Sequence, residues 1–176
     1  IAEVEGWEKR ETTFCRIPDI RRITGGRPSR LGMTMHRGIC LGASSETVFR
    51  IARRIGLTTC RSFTEWSTLE PAPGEFAFDE WAPFFDAAKR NGMQMVVCIY
   101  DPPAWALRRG EPVGYRMFDG DIAAFSRLVT ECTRRFRGGI WGWEWLNEIT
   151  PGGPADSVSE YVALVRAGVA AARSLD

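Results

Sequence analysis

Met93-Gln94-Met95-Val96-Val97-Cys98-Ile99-Tyr100 is apolar almost throughout. Such a run suits a strand buried on both faces, as the strands of a parallel sheet are. Just before it, Asn91-Gly92 closes a segment in which Trp81, Phe84, Phe85 and Ala88 recur at helical spacing. Asp79 is the expected cap of that helix, and Pro83 lies near its start, where a missing N–H costs least. Further upstream, Leu57 to Phe63 reads as a strand, separated from the helix by the turn Pro71-Ala72-Pro73-Gly74. Before that strand, Ser44-Ser45-Glu46 has helix-start chemistry, Val48, Ile51, Ala52 and Ile55 form an apolar stripe, and Gly56 stops the helix. Met33 to Leu41 is the first strand.

The same rhythm continues downstream. A long loop holding Pro102-Pro103 and Trp105 precedes Asp121, a helix cap for the stripe Ile122, Phe125, Val129, Cys132 and Phe136. Gly138-Gly139 leads into a fourth strand, Ile140 to Leu146. After Pro151-Gly152-Gly153-Pro154, Ser157 and Glu160 have capping-box spacing, and Val158, Tyr161, Val162, Val165, Val169 and Ala172 line one helix face. The order βαβαβαβα implies an α/β fold with a parallel sheet. A doubly wound sheet and a barrel both satisfy it, and the loops separate them. The first strand–helix turn is Gly42-Ala43-Ser44-Ser45, with no GxGxxG. Residues capable of chemistry follow strands two, three and four instead, as a TIM-type (β/α)8 barrel requires. The expectation is such a barrel, truncated to about four βα units. It occupies residues 31–176, with residues 1–30 as an N-terminal segment or linker interrupted at Gly25-Gly26-Arg27-Pro28-Ser29.

Composition narrows the chemistry. The 176 residues carry a formal net charge of +1, which suggests no nucleic-acid partner. No apolar run is long enough to span a bilayer, so no membrane partner is expected. The chain opens at Ile1, and no signal-peptide pattern is visible in it. Cys15, Cys40, Cys60, Cys98 and Cys132 form no CxxC pair, and His36 is the single histidine. Zinc and redox motifs are therefore excluded, and no metal or other cofactor is expected.

Two blocks carry a resemblance. Arg61-Ser62-Phe63-Thr64-Glu65-Trp66-Ser67-Thr68-Leu69-Glu70-Pro71-Ala72-Pro73-Gly74-Glu75-Phe76-Ala77-Phe78-Asp79 resembles the second βα loop of clan A glycoside hydrolases: Arg on the strand, Trp, Glu-Pro, Gly, then an aromatic before Asp. Trp143-Glu144-Trp145-Leu146-Asn147-Glu148 looks like that clan's fourth strand, which ends in Asn-Glu. Leu146 stands where many members have Trp, and Ile149 where many have Pro. The resemblance covers residues 33–176. It implies retaining hydrolysis of a glycoside, in which one carboxylic acid protonates the leaving oxygen and a second carboxylate attacks the anomeric carbon. On that resemblance Glu148 is the acid and later the base, Asn147 bonds the sugar 2-hydroxyl, and Arg61 lies near the nucleophile. The nucleophile follows strand seven, outside this sequence. Glu70 is no substitute, because its motif puts it in a turn away from the strand end.

Each residue has a plainer reading. Glu148 could be a solvated loop carboxylate, Asn147 a turn residue, and Arg61 an ion-pair partner of Glu144 if both point inward. Trp66 and Trp105 lie where a sugar-stacking ring would, yet most tryptophans are packing residues. His36, at the end of the first strand, is a candidate sugar contact or a satisfied core histidine. The expected partners are an oligo- or polysaccharide or other glycoside, and either the remainder of the barrel or a second copy, since four strands leave two edges unpaired. The competing function is a non-catalytic carbohydrate-binding or scaffold protein on a degenerate barrel. A barrel enzyme for phosphorylated substrates is disfavoured because none of these strands carries a lysine.

Overall fold

Four parallel strands alternate with helices in the computed structural model, which describes residues 31–37, 43–107, 120–147 and 156–175, together with Arg22, Gly25 and Arg27. In chain order the elements are β1 (Gly32–His36), α1 (Ser45–Arg54), β2 (Thr59–Glu65), the single-turn α2 (Trp66–Leu69), α3 (Phe78–Arg90), β3 (Gln94–Tyr100), a 3-10 turn (Ala104–Ala106), α4 (Ile122–Arg135), β4 (Ile140–Trp145) and α5 (Asp156–Arg173). The strands are hydrogen-bonded in the order β1-β2-β3-β4, so β1 and β4 are the edges of this α/β sheet.

Local chemistry accounts for most boundaries. Ser44 Oγ accepts the amide of Thr47, while Glu46 and the pair Arg53, Arg54 complement the dipole at the two ends of α1. Gly56 turns the chain at φ +91°, a conformation glycine takes without steric cost. Asp121 Oδ1 accepts the amides of Ala123 and Ala124 at 2.9 and 3.0 Å and starts α4. At α3 the expected cap is displaced. The helix begins at Phe78 behind Ala77, with no side-chain cap, and Asp79 lies inside the first turn next to Glu80. Pro83 is therefore in the second turn and cannot donate to the carbonyl of Asp79.

Strand limits shift because pairing, not composition, sets them. β2 runs Thr59–Glu65 rather than Leu57–Phe63: Leu57 still donates to Ala52 O in the helix-ending turn, and pairing begins with Gly32 against Thr59. β1 runs Gly32–His36 rather than from Met33 to Leu41: Arg37 is already in a turn, and residues 38–41 lie outside the described residues. In register, His36 faces Phe63, Glu65 faces Tyr100, and Cys98 faces Glu144. Between β3 and β4 the pairing slips by one position, from Met95 against Ile140 to Val96 against Gly142.

The core lies on one side of the sheet. Met35, Cys60, Met95, Val97, Ile99 and Trp145 meet Phe49 of α1, Trp81, Phe84 and Phe85 of α3, Phe125, Leu128 and Val129 of α4, and Leu164 of α5. Each large aliphatic or aromatic chain buried there contributes about 1.5–3 kcal/mol. The opposite face carries Arg61, Phe63, Glu65, Val96, Tyr100 and Glu144, all partly exposed. In a closed (β/α)8 barrel this would be the inner face.

Candidate functional site

The polar residues of the inner face cluster at the carboxyl ends of the strands, where sites of parallel α/β folds are built. Arg61, in the middle of β2, reaches across to β4. Its Nε and Nη2 donate to the two carboxylate oxygens of Glu144 at 2.6 and 2.5 Å, a bidentate pair. Nη2 also donates to Asn147 Oδ1 at 3.0 Å. Because Arg is only a donor, the amide of Asn147 must turn its oxygen toward it, which leaves the NH2 group on the other side. The chain reaches this position through Leu146 at φ +64°, a conformation that costs a non-glycine residue about 1–3 kcal/mol and clusters at functional sites. The amide of Leu146 bonds Ile99 O at 2.8 Å and holds the turn. The Arg61 guanidinium holds the Glu144 carboxyl below the usual carboxylate range, against partial burial. Burial, reinforced by that carboxylate, pushes the Cys98 thiol up to about 12, so Cys98 stays a protonated thiol here.

A second cluster occupies the last residue of each of the first three strands. Tyr100 Oη donates to Glu65 Oε1 at 2.9 Å, and His36 Nε2 lies 2.7 Å from the same oxygen and 3.2 Å from Tyr100 Oη. Burial and then the neighbouring Glu65 carboxylate push the Tyr100 phenol well above its ordinary value, so it remains a donor. Phe63 separates the two clusters. Its ring stands edge-on to Tyr100 with centroids 5.5 Å apart, and the Arg61 guanidinium lies 4.3 Å from its centroid.

Among the candidate site residues, Arg61, Asn147 and His36 therefore share this face. Trp66 does not. It is 1% exposed and packs on the helix side against Trp105 and Phe125. Its Nε1 donates to Glu70 Oε2 at 2.9 Å. A ring so enclosed offers no face to a sugar, and the expected place on the rim is corrected to a packing role. Trp105 keeps part of its surface exposed, while its Nε1 is anchored to Glu70 O at 3.2 Å. Glu70 explains the Glu-Pro-x-x-Gly pattern. Fully buried, it accepts Trp66 Nε1, the amide of Gly74 at 2.8 Å and Arg127 Nη2 at 3.3 Å, and so ties the loop to α4. Glu148 lies outside the described residues.

Glu65 and Tyr100 are not among the residues expected from the sequence to form the site. The signal was available in the alternation Arg61, Phe63, Glu65, which puts all three on one face once β2 extends to Glu65. Among the described residues, no group of three or more His, Cys, Asp and Glu is placed to hold a metal ion, and no helix is long and apolar enough to cross a membrane.

No protein-family profile matches the sequence, and no curated protein matches it either. Solved structures do. A family 39 glycoside hydrolase from Bacteroides cellulosilyticus WH2 is similar over 85% of this chain, with a TM-score of 0.62 and 18% identity. A Pseudomonas stutzeri endoglucanase, solved with cellobiose, is similar over 76%, with a TM-score of 0.57 and 19% identity. A β-galactosidase from the psychrophilic Marinomonas ef1 is similar over 74%, with a TM-score of 0.51 and 20% identity. This chain spans 30%, 39% and 23% of those three chains. The α/β fold of this chain is thus similar to a part of the TIM barrels of those glycoside hydrolases.

Proposed function

We propose that residues 31–176 are the first half of a retaining glycoside hydrolase barrel, preceded by a separate segment at 1–30, and that Glu148 is its acid and base. The carrying observation is the network of Arg61, Glu144 and Asn147, which anchors the chain at the residue directly before Glu148. The glycoside hydrolase fold of the similar structures supports the same reading. Glu148 protonates the leaving oxygen, and a carboxylate after strand seven, outside this sequence, attacks the anomeric carbon. Glu148 then deprotonates the water that releases the sugar. Asn147, its oxygen turned to Arg61, donates its NH2 to the sugar 2-hydroxyl. Arg61 is a positioning residue, since its Nε and Nη2 are engaged by Glu144 and Asn147. An oligosaccharide is the proposed ligand.

The test is Glu148→Gln in the full natural chain. Loss of a general acid should lower kcat on glycosides with poor leaving groups by roughly 10²–10⁴-fold. Aryl glycosides of acidic phenols should still glycosylate the enzyme and stall at deglycosylation, and azide should restore their turnover as a glycosyl azide. Equal loss on both substrate types with no azide rescue, or no loss at all, would overturn the assignment.

A further inference from the structure

The cluster of His36, Glu65 and Tyr100 has no part in the chemistry assigned to Glu148, yet it is half open. Both donors converge on a single carboxylate oxygen, Oε1 of Glu65. Oε2 has no hydrogen-bond partner among the described residues, and the side chain retains 18% exposure on the inner face. Two donors on one oxygen fix the carboxylate plane and aim the other oxygen, so the group accepts without having to be ordered first. Among the described residues a second carboxylate lies beside this cluster. Asp101, next to Tyr100, is exposed, and its carboxylate accepts Ser67 Oγ at 2.7 Å. The described cations Arg61 and Arg37 pair with Glu144 and Glu80 respectively. An aimed anionic acceptor binds hydroxyl groups and repels carboxylate, sulfate and phosphate.

From this geometry we infer that Glu65, oriented by His36 and Tyr100, is a sugar-hydroxyl acceptor that selects uncharged glycosides over uronic acids and other anionic sugars. The inference rests on the glycosidase reading and adds the substrate class. Glu65 holds substrate and takes no part in proton transfer, so its loss should weaken recognition without removing the azide response assigned to Glu148.

The experiment uses the full natural chain and a panel of aryl glycosides paired with their C6-carboxylate counterparts, glucoside with glucuronide and galactoside with galacturonide. Wild type should prefer the uncharged member of a pair. Glu65→Gln should keep the native circular dichroism and lower kcat/KM on the uncharged member by roughly tenfold, as expected for a lost charge-assisted bond, mostly through KM. It should also narrow the neutral-to-acid ratio. Tyr100→Phe should move both readouts the same way by less, and it decides the matter if Glu65→Gln fails to fold. A wild-type preference for the uronides, or a ratio that neither substitution moves while glycosides are still cleaved, overturns this inference and leaves the glycosidase reading intact. No turnover of any glycoside by wild type overturns that reading and this inference with it.

Discussion

Glu65 and Glu70 lie five positions apart on either side of a single helical turn, and each accepts from an aromatic side chain. Their surroundings are opposite. Glu70 is sealed among α2, α4 and the Pro-Gly loop, with an indole, a backbone amide and a guanidinium on its two oxygens. Glu65 faces the other side of the sheet, with both donors on one oxygen. A carboxylate satisfied on every side contributes to the fold. A carboxylate held from one side has binding capacity left over. The two glutamates divide along that line.

The largest way to test this contrast is Glu70→Ala. It leaves the Trp66 indole and the Gly74 amide without their acceptor in a buried loop, at a cost of roughly 2–4 kcal/mol. Thermal unfolding of the full chain should show a clear drop in Tm, while Glu65→Gln should stay near wild type. Comparable losses from both would erase the distinction. Next come two glycines. A Cβ on Gly168 of α5 would meet the Trp145 ring at 2.9 Å and Phe125 at 3.1 Å, so Gly168→Ala should destabilise by about 1–3 kcal/mol. On the inner face, the Cβ of Gly142→Ala would meet only Val96 Cγ2 at 4.0 Å, and the same measurement should barely change.

The smallest predicted loss concerns the partly exposed pair of Arg61 and Glu144. Arg61→Met should cost about 1 kcal/mol after allowance for solvent screening. Its pH dependence is the sharper readout. The Glu144 carboxyl is depressed in the folded state, so its contribution is complete above the ordinary carboxylate range and is lost as pH falls through the depressed folded value. Urea melts from neutral to acid pH should show the gap between wild type and Arg61→Met closing on acidification. A gap constant with pH would mean that Arg61 acts through packing on Phe63 instead.

What could be read from the sequence was what is decided locally. Ser44, Gly56 and Asp121 act within a few residues, and their caps and stop are where the chain indicates. Face parity along strands is legible too: the sequence marks Glu144 as a mate for Arg61. Strand ends were harder, because partners settle them. Ending β2 at Phe63 hid Glu65, and with it the reason for Tyr100. Trp66 was misplaced for a related reason. The turn α2 that swings its ring to the helix side is four residues long, too short to leave a periodic trace. Ala77 in place of Asp79 as the start of α3 shows the same limit, since no side chain there signals the boundary.

The slipped pairing between β3 and β4 makes strand four behave like a reading frame. Uninterrupted counting from Met95 against Ile140 would set Trp143 opposite Cys98 and Glu144 opposite Ile99, exchanging the strand's two faces. The extra residue, Trp141, restores the frame that sends Glu144 inward and Trp143 and Trp145 toward the helices. Trp141 is itself 67% exposed, so its indole is little constrained by packing. The position is then needed as a count rather than as a side chain: any residue that tolerates the bulge can fill it, whereas its deletion would invert every residue from Gly142 to the strand end.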